Sequence, residues 1–482
     1  MPADRRRHHC GRFGDQPQSR REMLQWCAHG FGAVALSALS QGAPSLPDEG
    51  PLAPKSPPFP PRAKSVIFLY MDGGPSQVDM FDPKPLLKKY HGQDPRKVIG
   101  DLTPTQFGKE GTLFASPWEF KQHGDSGHWI SSLLPHLSEV ADELAIIRSM
   151  KVRSAEHTSA NYFLHTGSVL QGNPSMGAWF GYGLGSENEN LPGFVVVKGR
   201  KILTGGLNNF GSGFLPATYQ GSLLLPRKEA IANIAPLEPD PALQRSKLDL
   251  IRTFDRQMNQ GHGNDPAVEA AIQNYETAFR MQTAVPELME LESESPETMS
   301  LYGLDSDFEP LKTFATQCLV ARRMVERGVR FVELVCNGAT DDRWDQHGAL
   351  QKSLPENCRS MDQPIAALIK DLKRSGLLDS TLLVWAGEFG RTPFAQGKDG
   401  RDHNPDGFTV WMAGGGIKGG VSVGATDEWG YRAAERPVEI HDLHATMLHL
   451  MGIDHTTSTF RFSGRDMRLT DVYGNVIEEV LA

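Results

Sequence analysis

Apolar residues fall into short runs separated by longer stretches of helical spacing. Residues 65–70 (SVIFLY), 144–147, 194–198, 329–335 (VRFVELV), 381–385 and 408–413 are rich in β-branched and aromatic residues. Turn-forming residues flank several of them, so each run predicts a buried strand. Residues 133–144, 314–327, 361–376 and 443–451 carry apolar positions three and four apart, as at Ile365, Leu368 and Leu372, and predict helices. Gly376 suits the end of one of them. Residues 157–167 (HTSANYFLHTG) read as a loop running into a helix. Strands alternating with helices predict an α/β protein with a central, mostly parallel sheet flanked by helices. Residues 241–296 break this rhythm. They are polar, with helical spacing at Leu248, Ile251 and Phe254, and predict a helical insertion.

The N-terminus reads as an address rather than as fold. Ser19, Arg20, Arg21, Glu22, Met23 and Leu24 form a twin-arginine signature. The weakly apolar stretch after it, Trp26 to Leu39, is too short and too interrupted by Gly and Ser to span a membrane stably. Residues 1–43 therefore predict a signal peptide, which implies the twin-arginine export machinery as a partner and a periplasmic or secreted location. Residues 44–63, rich in proline, predict an extended, mobile linker. Residues 64–482 predict one domain.

Composition narrows the function. The net charge is −9, and the basic residues cluster only in the signal, so no nucleic-acid partner is expected. Of the 5 cysteines, Cys10 and Cys27 leave with the signal. Cys318, Cys336 and Cys358 are too few and too far apart for a disulfide framework or a zinc–cysteine site. The glycine-rich run at residues 413–420 lacks the Gly-Lys-Ser/Thr ending of a phosphate loop and reads as a turn.

Chemistry-bearing residues collect after strands. Asp72 follows the first run, Asp345 and His347 follow residues 329–335, and Glu388 follows residues 381–385. Asp402 and His403 lie in a polar loop before residues 408–413. In an open α/β sheet, ligands sit beyond the carboxyl ends of the strands. Mixed carboxylate and imidazole suits zinc, manganese or iron, and a carboxylate-rich half suits magnesium or calcium.

Several phrases carry a family resemblance. LYMDGG at Asp72, WDQHG at Asp345, DHNPDGFTVWMAGGG at His403 and DLHATMLHLMGID near the C-terminus resemble the alkaline phosphatase and sulfatase superfamily. More narrowly, DGGPSQVDMFDPKP, LLPHLSEVADELAIIRSM and GEFGRTP, with the twin-arginine signal, resemble domain-of-unknown-function family 1501. The resemblance implies an alkaline phosphatase-like fold and a site of one or two divalent ions (Zn, Mn, Ca or Mg). Asp345, His347 and His403 would form one half, and Asp72 and Glu388, with His157, the other. Two departures stand out. Phe389 follows Glu388 where the superfamily carries a histidine. His157, ten residues before Gly167, stands where sulfatases carry the cysteine that becomes formylglycine.

His157 is then a candidate ligand or general acid–base group. The adjacent hydroxyls of Thr158 and Ser159 are alternative nucleophiles. Arg391 is a candidate for binding an anionic oxygen through its planar fork, or else a salt-bridge partner of Glu388. The implied activity is hydrolysis of an anionic ester, sulfate or phosphate, with a sulfated or phosphorylated polysaccharide as one candidate substrate. The alternative is a secreted binding or scaffold protein that kept the fold without turnover. One prediction comes from the signal alone: replacing Arg20 and Arg21 with Lys strands precursor in the cytoplasm. Fractionation checks it, and unchanged export would refute the signature.

Overall fold

The computed structural model describes residues 51–482, apart from 104, 106, 107, 109, 237, 239 and 262–265. The expected signal peptide, residues 1–43, lies outside the described residues. The strands that build the main sheet are β1 (Ser65–Met71), β2 (Ala145–Lys151), β3 (Phe194–Val197), β4 (Ser222–Leu224), β5 (Phe331–Cys336), β6 (Thr381–Ala386), β9 (Phe408–Ala413), β10 (Ser422–Val423) and β11 (Val438–Glu439). Between β6 and β9 runs a separate hairpin, β7 (Gly390–Gln396) and β8 (Gly400–Asn404). The sheet order is β10-β2-β9-β6-β1-β5-β3-β4, with β11 also on β2. Strands β6, β1, β5, β3 and β4 are mutually parallel. Strand β9 is antiparallel to both β6 and β2, so the sheet is mixed.

The period-2 alternation of β1 sorts its side chains to two layers. Ile67, Leu69 and Met71 pack with helices Glu309–Glu326 and Leu350–Arg374. Val66, Phe68 and Tyr70 pack with helices His157–Thr166, Met176–Leu184 and Ile440–Leu450. Both faces of β1 are therefore apolar, as the uninterrupted run SVIFLY requires. The helical insertion forms as two helices, Pro241–Gly261 and Pro266–Leu288.

Three sequence expectations are corrected. The helix expected at 133–144 is a short 3-10 segment, Leu137–Glu143. Pro135 withholds a backbone donor there, and the buried Asp362 carboxylate accepts the N–H groups of His136 and Leu137. The described part of the expected linker is docked: Lys55 donates its N–H to Leu184, and Arg62 and Ala63 donate theirs to Leu450. The ring of Phe59 lies 5.2 Å from that of His449. Finally, Asp402 and His403 are on strand β8 rather than in a loop.

That hairpin is tied to the turn after β1. Gln77 pairs with the backbone of Arg391, accepting its N–H at 2.8 Å and donating to its carbonyl at 2.8 Å. Asp79 takes both arms of the buried Arg401 guanidinium, at 2.6 and 3.0 Å. Gly390 and Gly400 allow the contacts: a Cβ at either would run into Gln77 or the His347 backbone. Removing one partner of a fully buried ion pair leaves the other uncompensated, at about 3–5 kcal/mol. Asp79→Ala is therefore expected to lose about that much in urea unfolding. A loss under about 1 kcal/mol would show that the pair does not hold the hairpin.

Candidate metal centre

Four side chains converge at the carboxyl edge of the sheet: His157, Asp345, His347 and His403. One ligand atom from each lies within 4.8 Å of the others. They arrive on three different pieces of local structure. His157 is the first residue of helix His157–Thr166, whose N-cap Glu156 accepts the N–H groups of Thr158 and Ser159. Asp345 and His347 lie on the segment after β5. It is folded against the turn after β1, where a Cβ on Gly73 would stand 2.7 Å from the Asp345 nitrogen. His403 projects from β8, at a bulge between Arg401 and His403 that re-aims the strand.

Each imidazole is oriented by its outer nitrogen. His157 donates Nδ1–H to Glu388 at 2.6 Å. His403 donates Nδ1–H to the Ala155 carbonyl at 2.6 Å. His347 donates Nδ1–H to the side-chain oxygen of Gln396. With the outer nitrogens so engaged, the three Nε2 atoms face the Asp345 carboxylate. His347 Nε2 stands 2.8 Å and His403 Nε2 3.1 Å from Oδ1, and the two nitrogens are 3.0 Å apart. His157 Nε2 is 3.1 Å from Oδ2, yet it is buried without an aligned hydrogen bond. Nitrogen and carboxylate oxygen atoms this close need a proton or a metal ion between them. Outer-atom hydrogen bonds of this kind are what metal-binding histidines use. Ligands about 2.0 Å from a tetrahedral ion stand about 3.3 Å apart, close to these separations. The residues fit a single transition-type ion.

Charge around the centre is balanced by Arg391. Its guanidinium is fully buried and donates to Asp345 Oδ1 at 2.6 Å, Gly74 O at 2.9 Å, Arg401 O at 3.2 Å and Gly73 O. The expectation that Arg391 meets a substrate anion is therefore corrected. It is enclosed by backbone carbonyls and pairs with Asp345, not with Glu388. Burial opposes the Asp345 charge, but Arg391 and the three histidines outweigh it and hold the carboxyl well below the usual range. Burial also lowers His157, but Asp345 and Glu388 overcome it and raise the imidazole to about 9. At His403 burial wins, and the imidazole falls to about 4.

Asp72 and Glu388 do not join the four. Glu388 is buried and spends its second oxygen on the Tyr70 hydroxyl at 3.0 Å and Gly73 N–H at 3.2 Å. It orients His157 instead of offering itself as a ligand. Asp72 accepts Asn337 at 2.8 Å and both of its oxygens face Arg343, at 3.0 and 2.9 Å. Burial, partly offset by Arg343, pushes its carboxyl up to about 6. The second half-site expected from these two carboxylates thus already holds a cation, the Arg343 guanidinium. Sequence reasoning passed over Arg343, although it stands two residues before Asp345.

Fold and site together define a three-layer α/β protein with a histidine–carboxylate centre at the carboxyl edge of its sheet. The chain belongs to the family described as "Protein of unknown function (DUF1501)", which matches residues 63–481. No curated protein sequence matches it. Among solved structures it is similar to the PsFucS1 sulfatase from Pseudoalteromonas sp., with 12% identity, a TM-score of 0.36, and coverage of 90% of this chain and 72% of that one. It is also similar to the alkaline phosphatase from the Antarctic bacterium TAB5, with 10% identity, a TM-score of 0.33, and coverage of 82% and 99%.

The raised His157 sets a pH dependence. An ion and a proton compete for Nε2, and the proton is held until about pH 9. Zinc affinity should therefore rise about tenfold per pH unit from pH 7 towards 9, with close to one proton released per ion. Calorimetry in buffers of different ionisation enthalpy measures both. Zinc binding without proton release at pH 7 would place the ion elsewhere.

Proposed function

We propose that this is an exported metal-dependent hydrolase of sulfate or phosphate esters, with a single divalent ion held by His157, Asp345, His347 and His403. The observation that carries the reading is the convergence of three oriented imidazoles on one carboxylate. Three nitrogen donors and one oxygen favour zinc or another first-row transition ion over calcium or magnesium. An ion bound there supplies a Lewis acid for an ester oxygen. The chain's own groups set the stage: Glu388 fixes the His157 ring, Gln396 and Ala155 fix the other two, and Arg391 fixes Asp345. Preorganised groups of this kind need no rearrangement as charge develops. Among the described residues no helix is long and apolar enough to cross a membrane. A sulfated or phosphorylated polysaccharide remains among the candidate substrates.

The second reading is a binding protein on the same centre. It is favoured by position 157, where a histidine stands in place of the sulfatase cysteine. Elemental analysis and a panel of aryl sulfates, aryl phosphates and a sulfated polysaccharide separate the two. The expected outcome is one ion per chain and turnover that chelation abolishes. His157→Ala and Asp345→Ala should lose ion and turnover together, by about 10²-fold or more. Folded protein that retains no ion would sink both the centre and the hydrolase. An ion without turnover on the whole panel would favour the binding protein.

A further inference from the structure

Arg343 holds a backbone conformation that side-chain-bearing residues rarely adopt, with φ at +58°. Such strain persists where the surroundings over-determine it. Here the side-chain amide of Asn357 donates to the Arg343 carbonyl, and Trp344 next to it donates its N–H to the Asp72 carbonyl at 3.1 Å. The result is a guanidinium lying against Asp72. Among the described residues only Nη1 is used, on the two Asp72 oxygens. A guanidinium carries five N–H groups in a planar fork. Among the described residues the Nε–H and Nη2–H groups of Arg343 meet no acceptor, and its side chain is 16% exposed, which leaves them for a ligand.

The place of this fork gives it a use. Asp72 leads into Gly73, whose N–H holds Glu388 and whose carbonyl takes Arg391, and those two residues fix His157 and Asp345. Arg343 is thus linked to the metal centre through Asp72, Gly73 and Glu388. Its field reaches Asp72, Tyr70 and Glu388. A second divalent ion would need the Asp72 carboxylate, which the guanidinium already neutralises. A planar, permanently charged fork with two free edges matches a tetrahedral oxyanion, which a point charge does not do as well.

We infer that Arg343 is the oxyanion-binding group of this site: it closes the Asp72 half to a second metal ion and offers Nε–H and Nη2–H to the sulfate or phosphate group of the substrate. The inference rests on the metal-centre reading above. The test loads the full-length mature protein with excess zinc, counts zinc by elemental analysis, and titrates inorganic phosphate and sulfate by calorimetry. The wild-type protein should hold one zinc and bind the oxyanions. Arg343→Ala should bind them about ten- to a hundredfold more weakly, and Arg343→Lys several-fold more weakly, with the zinc at the histidine cluster retained. Arg343→Ala leaves Asp72 buried beside Asn337 alone. If that variant does not fold, Arg343→Ala/Asp72→Asn removes the orphan charge and should show the same loss. Unchanged oxyanion affinity in a folded, zinc-loaded variant overturns the inference, as does wild-type protein that binds zinc but neither oxyanion. Two zinc ions on the wild type would also overturn it. Wild-type protein that binds no zinc removes the centre itself, and the inference with it.

Discussion

The structure around the site depends on how one carboxylate is held. Asp345 Oδ1 receives Arg391, His347 and His403, and Oδ2 faces His157. Arg391 is fully buried, so its other N–H groups need acceptors. They find them in the carbonyls of Gly73, Gly74 and Arg401. The two glycine carbonyls point inward because the chain after β1 turns through positive φ, at +122° for Gly73 and +76° for Gly74. A Cβ on Gly74 would stand 2.7 Å from the Phe389 ring. The glycine pair, the arginine and Phe389 thus answer to one requirement: a buried charge must be satisfied on every side.

The same requirement organises the hairpin that carries His403. Its polar residues are inside: Arg391, Thr392, Arg401, Asp402 and Asn404 are all buried. Arg401 meets Asp79, and its remaining arms reach the Thr392 and Phe114 carbonyls at 3.0 and 3.1 Å. Its guanidinium also lies 4.7 Å from the Phe114 ring. Asn404 reaches the carbonyls of Gly407 and Tyr431. A hairpin held by directional bonds rather than by apolar packing has one register. That register puts His403 opposite Arg391 and so beside Asp345.

This explains what the sequence could and could not disclose. Strand β1 and its neighbours were legible because both faces of the sheet are covered, which forces continuous apolar runs such as SVIFLY. The family was legible because its phrases coincide with contacts that tolerate little change: Gln77 and Asp79 in the first, Gly390 and Arg391 in GEFGRTP. The β7–β8 hairpin was not legible, because periodicity takes polar residues for solvent and these are inside. Asp72 and Glu388 do stand at strand ends. Whether such a carboxylate is a ligand depends on what else reaches it, and the left-handed turn at Arg343 gives no sign in the residue types. For the same reason Arg391, an arginine near an acidic cluster, looked like an anion receptor. Its total enclosure is visible only once the carbonyls around it are placed.

The helix that starts at His157 shows why the centre is placed so firmly. His157, Asn161 and His165 are four residues apart and share one face, which packs on the sheet. All three are hydrogen-bonded there. The Tyr70 hydroxyl meets both Asn161 and Glu388, and Glu388 holds His157. His165 bonds Glu333 on β5 at 2.8 Å, where both side chains are fully buried. Burial lowers the His165 pKa, but Glu333 more than restores it, leaving the imidazole above its ordinary value. An apolar helix face could slide by a fraction of a turn with little penalty. A face with three polar groups cannot, because any slip leaves buried donors or acceptors unpaired at about 1–3 kcal/mol each. The polar stripe therefore fixes rotation and depth of the helix, and with them the position of His157 against Asp345.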